Sequence, residues 1–246
     1  MPIDPNFSSI LSLDYEINFT QCLPSGGLKY TELCNLLQLS AATHAEMGGI
    51  SFTDMQAFNQ AWVLSRIRVE IKELPRWKDT VTVKTWINTL ENSRSVRALE
   101  IYRNGEKIIG AETFWAVFNT EKRRPENLML EHEHFELFPE MKATNLGFSK
   151  IEIHPEKEEL FEKTVILSDL DIVNHVNHVK YLEWCMDVVD ENIILQQKVR
   201  SFEMNFMREL SIRDKVMIHE NLSDEIIVFS ITKENKNCFA LQLNLI

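Results

Sequence analysis

Four successive runs of alternating apolar and polar residues, entered from one helical stretch, constrain this chain more than any other feature. They are AWVLSRIRVEI (61–71), DTVTVKTWI (79–87), SVRALEIYR (95–103) and IIGAETFWAVFN (108–119). Period-2 alternation with β-branched and aromatic residues predicts strands. Asn104-Gly105, between the last two runs, predicts a two-residue hairpin turn, because both residue types tolerate positive φ. Ahead of the runs, Leu33, Leu36, Leu37 and Ala41 recur at helical spacing over 29–47, and Gly48-Gly49 stops that helix. Residues 12–23 alternate enough to form a preceding strand, broken by SGG at 25–27.

The same order returns later. FEKTVILSDL (161–170) reads as a strand, 177–191 as a helix, and 201–210, 214–222, 224–232 and 238–246 as strands. PRWKDTVTVKTW (75–86) answers SIRDKVMIHENL (211–222), each placing a charged turn and an Asp before an apolar alternation. A long apolar helix must bury its stripe, and a curved antiparallel sheet offers the matching surface. The chain is therefore expected to be a tandem α+β repeat. Between the copies, residues 120–160 carry charges, Pro125, Pro139 and Pro155 and little periodicity, which predicts a connection crossing the surface. The expected division is 1–122, a linker over 123–159, and 160–246.

Composition excludes several classes. With a net charge of −11 over 246 residues the chain does not read as a general nucleic-acid binder. An acidic partner would need a local basic patch, for which Lys122 to Arg124, Arg66, Arg68, Arg94 and Arg97 are the candidates. No apolar run approaches the roughly 18 residues of a membrane span. The beginning, MPIDPNFSSILSLDYE, has no basic stretch before an apolar one, so no leader peptide is expected. Cys22, Cys34, Cys185 and Cys238 are widely spaced and read as free thiols of a reducing cytoplasm.

Chemistry concentrates in SDLDIVNHVNHVKYLEWCMDVVDEN (168–192), where Asp169, Asp171, Asn174, His175, Asn177 and His178 precede an apolar helical pattern. A helix N-terminus offers unpaired N–H groups and a positive dipole end, and the side chains supply acid and base. Asn177 is a candidate N-cap, and Asp169 reads as a turn or capping residue. His175-x-x-His178 with Asp171 imitates a metal site but lacks a third well-placed ligand, so no metal is assigned. His132-Glu133-His134, in the connection, reads as solvent-exposed.

On these residues the chain resembles the acyl-acyl carrier protein thioesterases, double hotdog enzymes of plants and bacteria. AWVLSRIRVEI, PRWKDTVTVKTW and WAVFN are similar to the family's N-terminal half. SDLDIVNHVNHVKYLEW and MNFMREL (204–210) are similar to its C-terminal half. The family pattern Asp-x-Asn-x-His, then Val-Asn-Asn, with a Glu on a neighbouring strand, falls on Asp171, His175 and Glu209. The family's Asn falls on Val173, with Asn174 one position later, so either a shifted loop gives Asn174 the amide role or that role is lost. His178 stands for the usual second Asn, and Leu210 for the Cys that follows the Glu in many members, which excludes a cysteine nucleophile there.

The resemblance implies an α+β fold, a tandem double hotdog, that hydrolyses fatty acyl-carrier protein to free fatty acid and carrier. Acyl-coenzyme A hydrolysis and a catalytically silent acyl-binding protein are the alternatives, and none of the three implies a cofactor. Asp171 or Glu209 would activate water, with His175 orienting it or shuttling a proton, and a carboxylate nucleophile stays open. The backbone N–H groups at the start of the 177–191 helix would polarise the carbonyl, with Asn177 a substrate-binding candidate through its place at that helix start. The first helix carries His44 and Glu46 without an Asp-Asn-His cluster, so the first copy is expected to shape the acyl pocket, with Trp62, Leu64 and Trp86 among its lining candidates. The implied partner is the acyl carrier protein, a homodimer is compatible with the family, and the cysteine usage read above makes the cytoplasm the expected compartment.

Overall fold

A computed structural model describes residues 3–155, 157–223 and 225–246. The chain divides into two compact units, one made of Met1–Ser65 and Lys72–Gly147, the other of Arg66–Ile71 and Phe148–Ile246.

The first unit holds β1 (Ile10–Glu16), α1 (Tyr30–Met47), the short α2 (Phe52–Gln56), the beginning of β2 (Gln60–Ile71), β3 (Thr80–Glu91), β4 (Arg94–Arg103), β5 (Glu106–Asn119) and the two-residue β6 (Arg124–Pro125). Its strands pair antiparallel in the order β1-β3-β4-β5, with β6 on β5. Helix α1 buries Leu33, Leu36, Leu37, Ser40 and His44, one stripe at helical spacing, and packs on β3 and β1. It ends at Gly48, with Gly49 following at φ 70°. Asn104 and Gly105 take φ 53° and 80°, so the β4–β5 hairpin turns on the expected pair.

The second unit repeats the plan with β7 (Glu158–Thr164), α3 (His178–Met186), α4 (Glu191–Leu195), β8 (Val199–Phe206), β9 (Lys215–Leu222), β10 (Ile226–Lys233) and β11 (Lys236–Leu245). Its strands pair in the order β8-β11-β10-β9-β7, and residues 66–70 of β2 pair with β8. Helix α3 packs on β11, and Phe202, Phe229, Phe239, Leu241 and Leu243 form a fully buried interior.

Several expected boundaries move, each for a local reason. The strand expected over 161–170 ends at Thr164, and Leu167–Asp169 is a 3-10 turn, because the Asp169 carboxylate accepts the Ile166 N–H at 2.8 Å. The strand expected over 12–23 likewise gives way to a 3-10 turn at Phe19–Gln21. The helix expected over 177–191 stops at Met186, and Asp190 caps the separate α4 by accepting from Asn192 N–H at 2.7 Å. The strand expected over 201–210 ends at Phe206, where Met207 and Arg208 N–H both donate to the Cys238 carbonyl. Of the strand expected over 224–232, Asp224 lies outside the described residues, as do Met1 and Pro2 of the sequence's beginning and Glu156 of the connection.

The connection does more than cross the surface. Phe135 is buried, edge-on to Phe7 at 4.7 Å and to His44 at 5.4 Å. Asn88 Nδ2 donates to the carbonyls of Phe138 and Met141 at 2.8 Å, and Trp86 Nε1 donates to Met141 at 3.0 Å. In the second unit, Ser149 hydrogen-bonds the Glu203 carboxylate, Asn205 accepts from Ile151 N–H at 3.1 Å, and Lys157 donates to Ser230 at 3.1 Å. Side chains of the sheets thus satisfy the polar backbone of a segment without regular structure, which lets it come inside. His132 and His134 are half-buried rather than exposed, His134 against the Gly48 carbonyl at 2.9 Å.

Two arginines counted as surface candidates are interior. Arg68 pairs with Glu203 and, at 3.0 Å, with Glu70. Arg97 donates to Thr85 Oγ1 at 3.1 Å and to His44 Nδ1 at 2.7 Å. Since a guanidinium only donates, His44 Nδ1 accepts, and its Nε2–H donates to the Ser8 carbonyl at 2.9 Å. Burial first, and the Arg97 charge second, pull the His44 imidazole down to about 3 from an ordinary 6.5.

Two outcomes follow. A Cβ on Gly110 would meet the Ala143 carbonyl oxygen at 1.9 Å, so Gly110→Ala is expected to cost about 1–3 kcal/mol in urea unfolding. Between about 3 and 6.5 the unfolded chain binds a proton at His44 that the folded chain refuses, so stability rises with pH across that window. This one group contributes up to about 1.4 kcal/mol per pH unit. His44→Gln, which can still accept and donate, should flatten the slope in unfolding titrations at several pH values.

Candidate active site

The polar segment before α3 folds as two small closed turns. Asp171 N–H donates to the His175 carbonyl at 2.9 Å, and Asn174 N–H to the Asp171 carbonyl at 3.0 Å. The Asp171 carboxylate accepts from the backbone N–H of Val173 at 3.0 Å and of His175 at 3.5 Å. Asn174 sits at φ 62°, a left-handed position that asparagine tolerates better than most residues. Its location is therefore explained by the turn, and the side chain is exposed.

Both ends of this loop are anchored. Asn177 N–H donates to the Asp169 carbonyl at 2.9 Å, and Val176 N–H to the Leu210 carbonyl at 3.0 Å. Val165 and Arg213 bond the stretch before the 3-10 turn to residues 213–214. Asp169 is buried, with Lys163 Nζ at 3.5 Å from its carboxylate. Asn177 is the N-cap, its Oδ1 accepting from Val179 N–H at 3.0 Å. As the first helical residue, His178 has no intrahelical acceptor for its N–H, so α3 opens with an amide directed out of its end.

Anchoring to Leu210 brings the loop against the segment leaving β8. His175 Nε2 lies 3.6 Å from Glu209 Oε2, and each side chain is about one-third exposed, at 32% and 33%. The structure thus brings His175 and Glu209 together and keeps Asp171 and Asn177 on the same loop, the Oδ1 atom of each engaged by backbone amides. Leu167, Ile172, Val173, Met207 and Ile212, all exposed, surround this pair in sequence, together with Arg208 and Arg213. Deeper in, Tyr181 sits 5.7 Å from Phe206 and 5.1 Å from Phe239, and burial pushes its phenol up.

The three pocket candidates of the first unit are not gathered in one cluster. Trp62, half-buried, donates to the Ile50 carbonyl at 3.0 Å and packs with Ile50, Met55, Leu128 and Phe135. Trp86 is buried beside Ala98 and Ala143, and Leu64 is buried on β2. The sequence reading missed the internal Arg68–Glu203–Ser149 cluster; its one signal was the charged alternation Arg66, Arg68, Glu70 inside an otherwise apolar run. Among the described residues no group of three or more His, Cys, Asp or Glu is placed to hold a metal ion.

A carboxylate beside an imidazole, next to the amides of a helix start, can take a proton from water, pass it on and receive a developing oxyanion. Comparison with known proteins agrees with the resemblance. Residues 10–134 match the acyl-ACP thioesterase N-terminal domain and residues 153–244 the acyl-ACP thioesterase C-terminal domain. The chain belongs to the acyl-ACP thioesterase family. A palmitoyl-acyl carrier protein thioesterase of Arabidopsis thaliana is 29% identical over 74% of this chain and 48% of its own length. A dodecanoyl-[acyl-carrier-protein] hydrolase of Cinnamomum camphora is 25% identical over 76% and 52%. The chain spans about half the length of the curated relatives it matches.

Among solved structures, an acyl-ACP thioesterase from Bacteroides thetaiotaomicron superposes with a TM-score of 0.89 at 22% identity, covering 97% of this chain and 98% of that one. A 12:0-ACP thioesterase from Umbellularia californica gives 0.85 at 19% identity, covering 96% and 97%. The fold is the expected α+β tandem double hotdog. No described helix is long and apolar enough to cross a membrane.

The cap can be tested apart from the chemistry. Asn177→Ala is expected to lower stability by about 1 kcal/mol, read by urea unfolding, because a first-turn amide loses its acceptor.

Proposed function

We propose that this chain hydrolyses the thioester of fatty acyl-carrier protein, releasing free fatty acid and carrier thiol. The observation that carries this reading is the His175–Glu209 pair, 3.6 Å apart where the polar loop enters α3. Family membership supports it, and so do relatives that are acyl-carrier protein thioesterases and hydrolases.

Glu209 accepts a proton from water as the water oxygen bonds to the thioester carbonyl carbon. The C–S bond then breaks, and the proton held by Glu209 passes through His175 to the leaving thiolate sulfur, so the products are a carboxylic acid and a thiol and both side chains return to their starting state. Glu209 rather than Asp171 takes the base role, because Glu209 is the carboxylate beside His175, whereas Asp171 Oδ1 accepts the Val173 and His175 backbone N–H groups and organises the loop. Asn174 shapes that turn from its left-handed position, and Asn177 holds the helix start so that its amides face the carbonyl oxygen. In the first unit Trp62, Leu64 and Trp86 are the proposed acyl-facing side chains, each contributed from a separate part of the unit rather than from one cluster. Exposed Arg208 and Arg213, beside the exposed apolar residues of the loop, suit an acidic carrier better than a neutral one. The enzyme works in the cytoplasm, and as a homodimer if it follows its family.

The test is release of free thiol from acyl-carrier proteins of graded chain length, beside matched acyl-coenzyme A esters. Turnover is expected with carrier substrates, falling by about a hundredfold or more in His175→Ala and in Glu209→Ala. Faster turnover of the coenzyme A esters would transfer the activity to that substrate. Binding without thiol release by the wild type would replace the hydrolase reading with a silent acyl-binding one.

A further inference from the structure

The sequence HVNHV places a second imidazole three residues after His175, and the hydrolase reading above gives it no task. Two stretches run alongside one another here. Val176 N–H bonds the Leu210 carbonyl at 3.0 Å, His175 faces Glu209 at 3.6 Å, and His178 meets the edge of Phe206 with ring centroids 6.2 Å apart. Both imidazoles of the loop therefore face the same short segment, 206–209, with His175 at its exit and His178 next along it.

The surroundings of His178 are apolar on the protein side and open to solvent on the other. Its side chain is half-buried, so solvent reaches it, and desolvation pulls its imidazole down to about 4. Those neighbours are aromatic: Phe206, and beyond it Tyr181 and Phe239. Among the described residues the contact with Phe206 is its one ring contact, and neither ring nitrogen has a hydrogen-bond partner. A polar group packed against aromatic rings is ordinarily hydrogen-bonded, so one that is not, and that solvent still reaches, is placed to bond a ligand that comes to it. Its residue is also the first of α3, whose own N–H is directed out of the helix end.

Resting on the thioester-hydrolase reading, we propose that His178 is a further catalytic residue, whose neutral imidazole N–H donates to the thioester carbonyl oxygen beside the first amides of α3. A neutral donor suits this task. It stabilises the negative charge that develops on the oxygen and does not compete with His175 for the proton moved by Glu209. A packing role for His178 would need only an aromatic ring of the same size. The donor role needs an N–H, which asparagine or glutamine could supply and phenylalanine could not.

The experiment combines turnover with a binding signal that needs none. His178→Phe, His178→Asn and His178→Gln are assayed beside wild type for thiol release from lauroyl-carrier protein, and all are checked by thermal unfolding. The expected result is that His178→Phe lowers kcat about tenfold to a hundredfold with KM little changed, and that Asn or Gln restores most of it. In parallel, the ring nitrogens of ¹⁵N-histidine-labelled wild type are followed by NMR while the lauroyl amide analogue of acyl-pantetheine, which cannot be hydrolysed, is added. The resonance missing from His178→Asn identifies His178 and should shift on binding. Full activity in His178→Phe, or equal loss in the Phe, Asn and Gln variants, would overturn the proposal. So would an unmoved His178 resonance at saturation. If wild type releases no thiol, the hydrolase reading fails by itself, and the NMR arm still decides whether His178 meets the carbonyl.

Discussion

The hydrogen bond from Val176 N–H to the Leu210 carbonyl holds the candidate site together. One partner begins the approach to α3 and the other follows the end of β8, so a single backbone contact fixes the separation of two segments that lie far apart in the chain. The rest of the loop is built around that point. The Asp169 side chain folds the 3-10 turn before it, the Asp171 side chain closes the turn between, and Asn177 starts the helix after it. Each of these is a carboxylate or amide satisfying backbone donors of its own neighbourhood, which lets a tight, largely irregular loop hold a defined geometry.

A different economy governs the far faces of the sheets. Where a helix covers a sheet, apolar stripes suffice, as with Leu33, Leu36 and Leu37 of α1. The connection has no repeating face to offer, and its course is set instead by polar side chains rising from the strands: Asn88 and Trp86 in the first unit, Glu203 and Asn205 in the second. The buried Arg68–Glu203 pair belongs to this group. Such pairs contribute little net stability compared with an apolar packing of the same volume. Here the carboxylate also receives Ser149, so the pair selects one path for the chain over others that a greasy surface would permit equally.

What could be read from the sequence were the features with short-range causes. Alternation gave the strands of both copies, helical spacing gave α1, and Asn104-Gly105 gave a hairpin whose positive φ values are those residues' own preference. Asn177 was legible as a cap because an amide immediately ahead of an apolar stripe has few other uses. Boundaries failed where a side chain acts backwards on the chain: Asp169 ends a strand by binding Ile166, and Asp190 splits a helix by capping its second piece. Arg68 and Arg97 looked like surface charges because their partners, Glu203 and His44, lie far away in sequence, and nothing local announces them. The meeting of His175 with Glu209 has the same character. Spacing alone says nothing of it, and it was anticipated only through the likeness of whole motifs to a known family.

The way β2 and the connection are shared bears on how the protein could be taken apart. Residues 66–71 stand within a strand that begins in the first unit, yet they belong to the second, where they hydrogen-bond the edge of β8. The second unit likewise claims the chain from Phe148 onward, well before its first strand. A fragment cut near residue 160, where the repeat in the sequence begins, would lose Ser149, Ile151 and the β2 segment together. It would present β8 as a bare strand edge and leave Glu203 buried without its arginine. Unpaired edges invite other chains to add to them. The duplication visible in the sequence is thus a record of plan rather than of independence, and the natural seams of this molecule lie elsewhere.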